Sequence, residues 1–506
     1  MTAFASLVAV STEVGGTASR LAKVRALADF LRALDADEVP IALPYLSGDT
    51  RQGKLSVGFA TLQSARTSPA PAPVLAIGDV DHAFHRLKNV KGKGSSGQRA
   101  ALLRELFARA TAEEQDFLVR LLVGELRQGA LEGIMVEAVA AAAGLPAAEV
   151  RRAVAFAGAI APVAVAALTT GSLAEFSICL MQPVLPMLAQ PAEDMRAALE
   201  ALGTALVEWK LDGARVQVHK AGDEVRIYTR NLNEVTRRVP EIVSAVHGAS
   251  SRELILDGEA IALRADRRPH PFPVTMSRFG SQQGNLDLKL SVFFFDCLYR
   301  DGESLFDHPT RERRAVLEAA LPKERVTPAI ITSDPAEAER FYQEALAAGH
   351  EGVMAKALDM PYEAGRRGAG WLKVKRARTL DLVVLAAEWG HGRRKGWLSN
   401  LHLGARDPRT GEFVMLGKTF KGMTDALLAW QTEELQKRAT CQDDWVVHVR
   451  PELVVEIAFN DLQESSQYPG GLALRFARVK GYRPDKRPEE ADTIDTVRQI
   501  YQDSIA

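Results

Sequence analysis

A chain of 506 residues, 47% hydrophobic and 25% charged, is too long for one core and reads as two to four globular domains. Its formal net charge of −1 excludes a globally basic protein, so any polyanion must be met by local basic clefts. Three cysteines, Cys179, Cys297 and Cys441, have no paired spacing, which argues against a structural zinc module or a disulfide scaffold and suits a reducing compartment, the cytoplasm.

The start of the chain lacks a basic segment followed by an apolar core, so no signal peptide is expected. Residues 1 to about 175 read as helical. Thr17 to Leu34, Ala100 to Ala110 and Glu113 to Val123 are periodic, and Glu132 to Ala143 is closed by Gly144 and Pro146. The most apolar run, Ala153 to Leu168, is interrupted by Gly158 and Pro162. A buried helix pair explains it better than a membrane span. Lys91-Gly92-Lys93-Gly94-Ser95-Ser96-Gly97 is a basic loop leading into a helix, suited to holding a phosphate through Lys91, Lys93 and Ser95. It is not a Walker A loop, because the Gly-Lys-Ser/Thr spacing is absent.

From Met181 the texture changes to alternating strands and helices, an α+β pattern reaching about Arg376. Ala198 to Leu206 reads as helix. Ala214 to His219 and Val225 to Arg230 alternate as strands around a turn at Ala221 to Glu224, which puts Lys210 at the start of a β-hairpin. A lysine attacks only when neutral, so a nucleophilic Lys210 needs a lowered pKa, here expected from neighbouring cations. Leu254 to Ala260 is an apolar strand carrying Asp257 and Glu259, and acidic groups there are costly unless they serve a metal, ligand or cation. In Ser291 to Tyr299, Phe293 is expected to pack in the core. Lys373 and Lys375 share one strand face, unfavourable unless an anion lies between them. Beyond Arg376, three strand runs, a helix over Thr424 to Arg438 and further strands fit an OB-type barrel.

Lys210-Leu211-Asp212-Gly213 resembles motif I of the covalent nucleotidyltransferases: ATP-dependent DNA ligases, RNA ligases and capping enzymes. Five more motifs follow in the family's order, including Asp257-Gly258-Glu259, Phe295-Asp296, Glu351 to Lys356, Trp371 to Lys375, and Arg475 to Lys486. The whole chain resembles the three-domain ATP-dependent DNA ligases of the archaeal and eukaryotic replicative type, and a bacterial member fits. The resemblance implies a multidomain fold: an all-α N-terminal DNA-binding domain over 1–175, an α+β adenylation (nucleotidyltransferase) domain over 176–376, and a β-barrel OB-fold C-terminal domain over 377–506.

It further implies Lys210 as the nucleophile. Glu208, Arg215, Arg230, Glu259, Phe295, Lys373, Lys375 and Arg367 (or its neighbour Arg366) are implied nucleotide contacts, and Glu259 and Glu351 implied metal ligands. The lysine of the fourth motif, Lys356, is expected at the phosphates. Arg475, Arg478, Asp485 and Lys486 form the closing motif, placed over the leaving pyrophosphate. Gly124 to Gly129, with Arg127, is similar to the segment where helix ends meet the duplex backbone. The implied substrate is ATP, the cofactor Mg2+ or Mn2+, and the partner nicked double-stranded DNA, with the protein a monomer. The rival readings are an RNA ligase or capping-type enzyme, and a non-catalytic nick-binding scaffold. The long helical domain disfavours the first and the intact acidic and basic motif residues disfavour the second. A hinge is expected between Arg376 and Asp381.

Overall fold

The computed structural model describes all residues except 56, 93, 127, 129–131, 281–287, 376–377, 392–393, 444 and 506. Among the described residues, ten helices run from Phe4–Gly16 to Ile160–Thr169. The periodic segments become Arg20–Arg32, Ser95–Arg109, Ala112–Val123 and Glu132–Ala143. Ser19 and Thr111 cap two of them by accepting from the amides of Ala22 and Glu114. Their apolar stripes close on one core that includes Phe4, Leu27, Tyr45, Phe84, Phe107 and Phe117. The alanine-rich run folds as Ala147–Ala157 and Ile160–Thr169, a buried pair as expected. No single described helix is long and apolar enough to cross a membrane. Glu132–Ala143 and Ala147–Ala157 reach that length and apolarity only together, and they are bent by 120° at the break between them.

The next ten strands are β1 Leu188–Pro191, β2 Ala205–Lys210, β3 Ala214–Ala221, β4 Glu224–Thr229, β5 Glu253–Ala262, β6 Leu290–Arg300, β7 Glu303–Ser304, β8 Ala329–Thr332, β9 Gly352–Ala357 and β10 Arg367–Lys375. They form two sheets, ordered β1-β10-β9-β2-β8 and β4-β3-β5-β6-β7. The first helix here is Met195–Leu202, shorter than the sequence suggests. Ala205 already begins β2, because Ala205 and Val207 pack inward beside Val353 and Ala355. The hairpin turn at Ala221 to Glu224 is present, with Gly222 at φ +60°. Lys210 does not open that hairpin. It ends β2, paired with Gly352 of β9, and Leu211 to Gly213 then cross to the other sheet. Phe294, fully buried, is the core residue of its strand. Phe293 faces the same half-buried side as Phe295, because alternation gives the inward position to the even number.

The helical region is tied firmly to these sheets. Phe156 packs edge-on against Phe306, Arg152 forms a bidentate ion pair with Asp307, and the Leu185 amide donates to Ala155. The connecting segment is held further by β3. The amides of Met181 and Val184 donate to His219 Nδ1 at 3.0 Å and Gln217 Oε1 at 2.8 Å. Burial pushes the His219 imidazole down to about 3. The unfolded imidazole titrates near 6.5, so this group's contribution to stability is present above that pH. It is lost as pH falls toward 3, because only the unfolded chain takes up the proton. The melting temperature should therefore fall between pH 7 and pH 5. His219→Gln, which keeps an acceptor but does not titrate, should show a shallower fall in the same scan; an equal slope refutes the assignment.

The last strands are β11 Arg378–Trp389, β12 Leu398–Arg406, β13 Phe413–Thr419, β14 Ala439–Gln442, β15 Val446–Val449, β16 Val454–Phe459, β17 Asp461–Glu464, β18 Leu472–Arg475 and β19 Arg478–Tyr482. A seven-stranded sheet runs β13-β12-β11-β15-β14, with β16 joining β11 and β19, and the helix Asp425–Lys437 lies between β13 and β14 in sequence. Among the described residues no strand pairing closes this sheet into a barrel. The expected hinge starts at Arg376, outside the described residues.

Candidate active site

A cleft of about 640 Å3 opens where the two sheets of the middle region face each other. Glu208, Lys210, Arg215, Arg230, Glu259, Phe295, Arg367, Lys373 and Lys375 all line it, so nearly every residue expected to bind nucleotide is gathered there. The gathering follows from topology. β2 and β10 flank β9, so Lys210, Glu351 and Lys375 meet, while β3, β5 and β6 bring Arg215, Glu259 and Phe295 across from them.

Gly213 is required by this crossing. A Cβ there would lie 2.3 Å from the Ala260 carbonyl oxygen, which real atoms do not tolerate. Gly213→Ala must therefore shift either β5 or the Lys210 loop. Misplacement of reacting groups by about 1 Å costs roughly 100-fold in rate. A fall of that size or more is expected in the rate at which Lys210 takes AMP, the role its motif implies; an unchanged rate refutes a need for glycine here.

At the floor of the cleft the Lys210 ammonium contacts Glu351 Oε2, and Lys375 reaches the same oxygen at 2.6 Å. Burial works to lower the Lys210 pKa, but Glu351, Glu259 and Asp212 outweigh it and hold the amine above its ordinary value. This corrects the expectation of a lysine made acidic by cations: in the ligand-free protein its nearest charges are carboxylates. The cations depress each other instead. Burial, then Lys375, Arg367 and Lys210, lower Lys373; burial and Lys210 lower Lys375. Burial pushes Asp212 up to about 6 and Glu259 up to about 7. Such opposed shifts in one cleft mark a site built for a charged ligand.

Other expected contacts resolve differently. Arg215 is in the cleft wall, but its guanidinium donates to Asp257 at 2.6 and 3.0 Å, to the Met187 carbonyl at 2.6 Å and to the Tyr362 hydroxyl at 3.1 Å. It braces the wall against Phe295 and Trp371. Of the two neighbouring arginines, Arg367 lines the cleft and Arg366 turns to Glu363. Lys356 is not at the phosphate end. It is fully buried, 2.6 Å from Glu208 and beneath the rings of Phe295 and Trp371, because an unpaired Glu208 carboxylate could not be buried there.

The closing motif divides. Arg475 lies over the ring of Phe272, a cleft-lining residue, at 5.2 Å, and its charge acts on Asp212. Arg478 donates to Asn460, Asp485 pairs with Arg483, and Lys486 pairs with Asp381. Those three are held within the last sheet's own region rather than at the cleft. Asp381, mostly buried, draws the cations to itself. Ser95 starts its helix after Gly94, and Lys91 is exposed just before it. Lys93 and Arg127 lie outside the described residues. Sequence reasoning missed Arg314, Asn231, Asn233, Arg238, Phe272 and Met276. All but Arg314 line the cleft. No motif contains them, although an aromatic beside a proline-rich turn, as at His270 to Pro273, is a usable signal for Phe272.

Family models match the chain three times: "DNA ligase N terminus" over residues 52–140, "ATP dependent DNA ligase domain" over 186–375, and "ATP dependent DNA ligase C terminal region" over 394–486. A probable DNA ligase of Anaeromyxobacter sp. (strain Fw109-5) is 59% identical over 99% of this chain and 98% of its own length. One of Saccharopolyspora erythraea is 54% identical over 99% and 98%. Among solved structures, Pmar-Lig_PreS3 superposes with a TM-score of 0.64 at 18% identity, covering 94% of this chain and 99% of that one, a likeness of fold. With its motif lysine set among paired carboxylates and lysines, and with relatives matched end to end, the chain belongs to the ATP-dependent DNA ligases.

Proposed function

We propose that this ligase seals nicks in double-stranded DNA through a covalent AMP on Lys210. The observation that carries the reading is the contact of Lys210 with Glu351 at the floor of the cleft, with Lys373 and Lys375 beside it. The triphosphate enters between these lysines and displaces Glu351 from the amine. Lys210 then gives its proton to water in the cleft and attacks the α-phosphorus, its N–P bond replacing the bond to pyrophosphate, which leaves. Lys373 and Lys375 neutralise the charge that develops on the phosphate oxygens. The purine lies between Glu208 and Phe295, and Arg230 and Arg367 hold the ribose and phosphates. The 5'-phosphate of a nick takes AMP from Lys210, and the 3'-hydroxyl then attacks that phosphate, releasing AMP.

Glu259 and Glu351 suit Mg2+ or Mn2+, since their oxygens are hard donors and no Cys or His stands with them. No ready cage of three such ligands exists among the described residues, as expected where phosphates complete the coordination. When bound, the ion supplies charge neutralisation at the phosphates.

The domains are taken as 1–175, 176–376 and 377–506, the last an OB-type barrel. The order of three strands, a helix and further strands, and the pairing of β16 with both β11 and β19, support that reading. Arg475, Arg478, Asp485 and Lys486 act at the leaving pyrophosphate when this domain closes. For Lys486 this means exchanging Asp381 for the ligand. Lys91, Lys93, Ser95 and Arg127 meet the duplex backbone. The enzyme works as a monomer in the cytoplasm, which its three unpaired cysteines suit.

The test is an intact mass after incubation with ATP and Mg2+, with GTP as control. A gain of one AMP, discharged by nicked DNA and not by nicked RNA, is expected. No adduct, even after pyrophosphate treatment has stripped any AMP acquired during expression, refutes the reading.

A further inference from the structure

We propose that Arg314 is a positioning residue for purine choice: with Lys356 it holds the Glu208 carboxylate as an acceptor for the 6-amino group of adenine and against the 6-oxo group of guanine. The inference rests on the reading of the cleft as the nucleotide site.

Glu208 is buried on β2 at the inner end of the cleft. Its Oε1 lies 2.6 Å from the Lys356 ammonium. Its Oε2 is buried with no hydrogen-bond partner among the described residues. A buried carboxylate oxygen left bare is costly, and this one belongs to a residue that lines the cleft, where a ligand's donor can complete it. The nearest cation to Oε2 is Arg314 Nη1, 3.7 Å away on the helix Thr310–Ala320, and that nitrogen is equally buried and equally without a partner. Arg314 cannot come closer freely. Its Nε donates to Glu318 at 2.6 Å and its Nη2 to the Thr327 carbonyl at 2.9 Å. Lys356 is fixed too, donating to the Phe295 carbonyl at 3.1 Å under the Phe295 and Trp371 rings.

The spacing matters. At 3.7 Å the guanidinium is too far to take the lone pair by a hydrogen bond, yet near enough for its charge to favour the ionised carboxylate against burial. Oε2 therefore stays a free acceptor. Adenine offers an N–H there. Guanine offers a carbonyl oxygen, and two acceptors facing each other in a buried site repel. The charges facing Glu208 are Lys356 on β9 and Arg314 on its helix, both favouring ionisation, and Asp296 on β6, which opposes it and is itself paired with Arg313 at 2.8 Å. Burial outweighs both cations and holds the Glu208 pKa above its ordinary value, so each cation that opposes it counts toward ionisation. Without Arg314 the carboxyl takes a proton more readily, and a protonated carboxyl donates to the guanine oxygen. Loss of Arg314 thus weakens ATP and admits GTP by one change.

The experiment compares adenylation rates with ATP and with GTP for the native enzyme, Arg314→Met and Arg314→Lys, all first stripped with pyrophosphate and checked for an unchanged melting temperature. In Arg314→Met the ratio of kcat/KM for ATP over GTP should fall about 10- to 100-fold, chiefly through a higher KM for ATP, and further at pH 6 than at pH 8. Arg314→Lys should recover most of the ratio. A purely structural role lowers both substrates alike. A folded Arg314→Met enzyme with an unchanged ratio, or with equal losses on ATP and GTP, overturns the proposal while leaving the site intact. A native enzyme that forms no AMP adduct overturns the nucleotide reading itself.

Discussion

Lys210→Ala should leave the protein folded and unable to take AMP, with a loss of adenylation on the order of 10^4-fold or more, since a missing nucleophile has no substitute in the cleft. Lys373 and Lys375 stand nearby but cannot serve. Both lie on β10, across β9 from the end of β2 where Lys210 stands. Fold retention is expected because Lys210 is one partner of a partly solvated cluster, not a core side chain. The same variant should still join a nick that already carries 5'-linked AMP, because that step uses the 3'-hydroxyl and not the lysine. Intact mass and a gel assay on pre-adenylylated DNA separate the two steps. A variant that still acquires AMP, at any residue, removes Lys210 from its role.

Glu351→Ala should cost adenylation about 10^2- to 10^3-fold, the scale of losing one preorganised electrostatic group. Its carboxylate is the shared partner of Lys210 and Lys375 and the proposed metal ligand. Removing it takes away the carboxylate the two ammonium groups share and leaves Asp212 and Glu259 to offset their repulsion. The effect on stability should be small, about 1 kcal/mol or less, because these side chains are partly hydrated and the amines relax toward solvent. Rapid-quench adenylation and a thermal melt test both halves. A large loss of stability with normal adenylation by the remaining folded fraction inverts the assignment and makes Glu351 a structural residue.

Much of the molecule was readable from local patterns. The helices of the first region, the β3–β4 turn and the shared face of Lys373 and Lys375 depend on residues close in sequence, and period and turn chemistry report those directly. Errors came where packing overrode local texture. Ala205 and Leu206 look helical beside the preceding alanines, yet β9 and β8 are ready on either side to take them as strand. The pKa of Lys210 was misjudged for the same reason. The cations near it in the motif list are real, but Glu351 is closer in space.

Sequence alone determined the family, pointed to Lys210 as the proposed nucleophile, and supplied the inventory of acidic and basic groups around it, because each motif is a short contiguous segment whose chemistry is carried by residue type and spacing. Tertiary structure decided which of those groups touch. It put Lys356 against Glu208 rather than at the phosphates, turned Arg215 to Asp257, brought Arg475 to Phe272, held Lys486 at Asp381, and set Arg314 3.7 Å from a bare carboxylate oxygen. The physical reason is range. Burial and Coulomb energy are fixed by distances of a few ångströms between segments far apart in sequence, and these distances exist only after the sheets have paired.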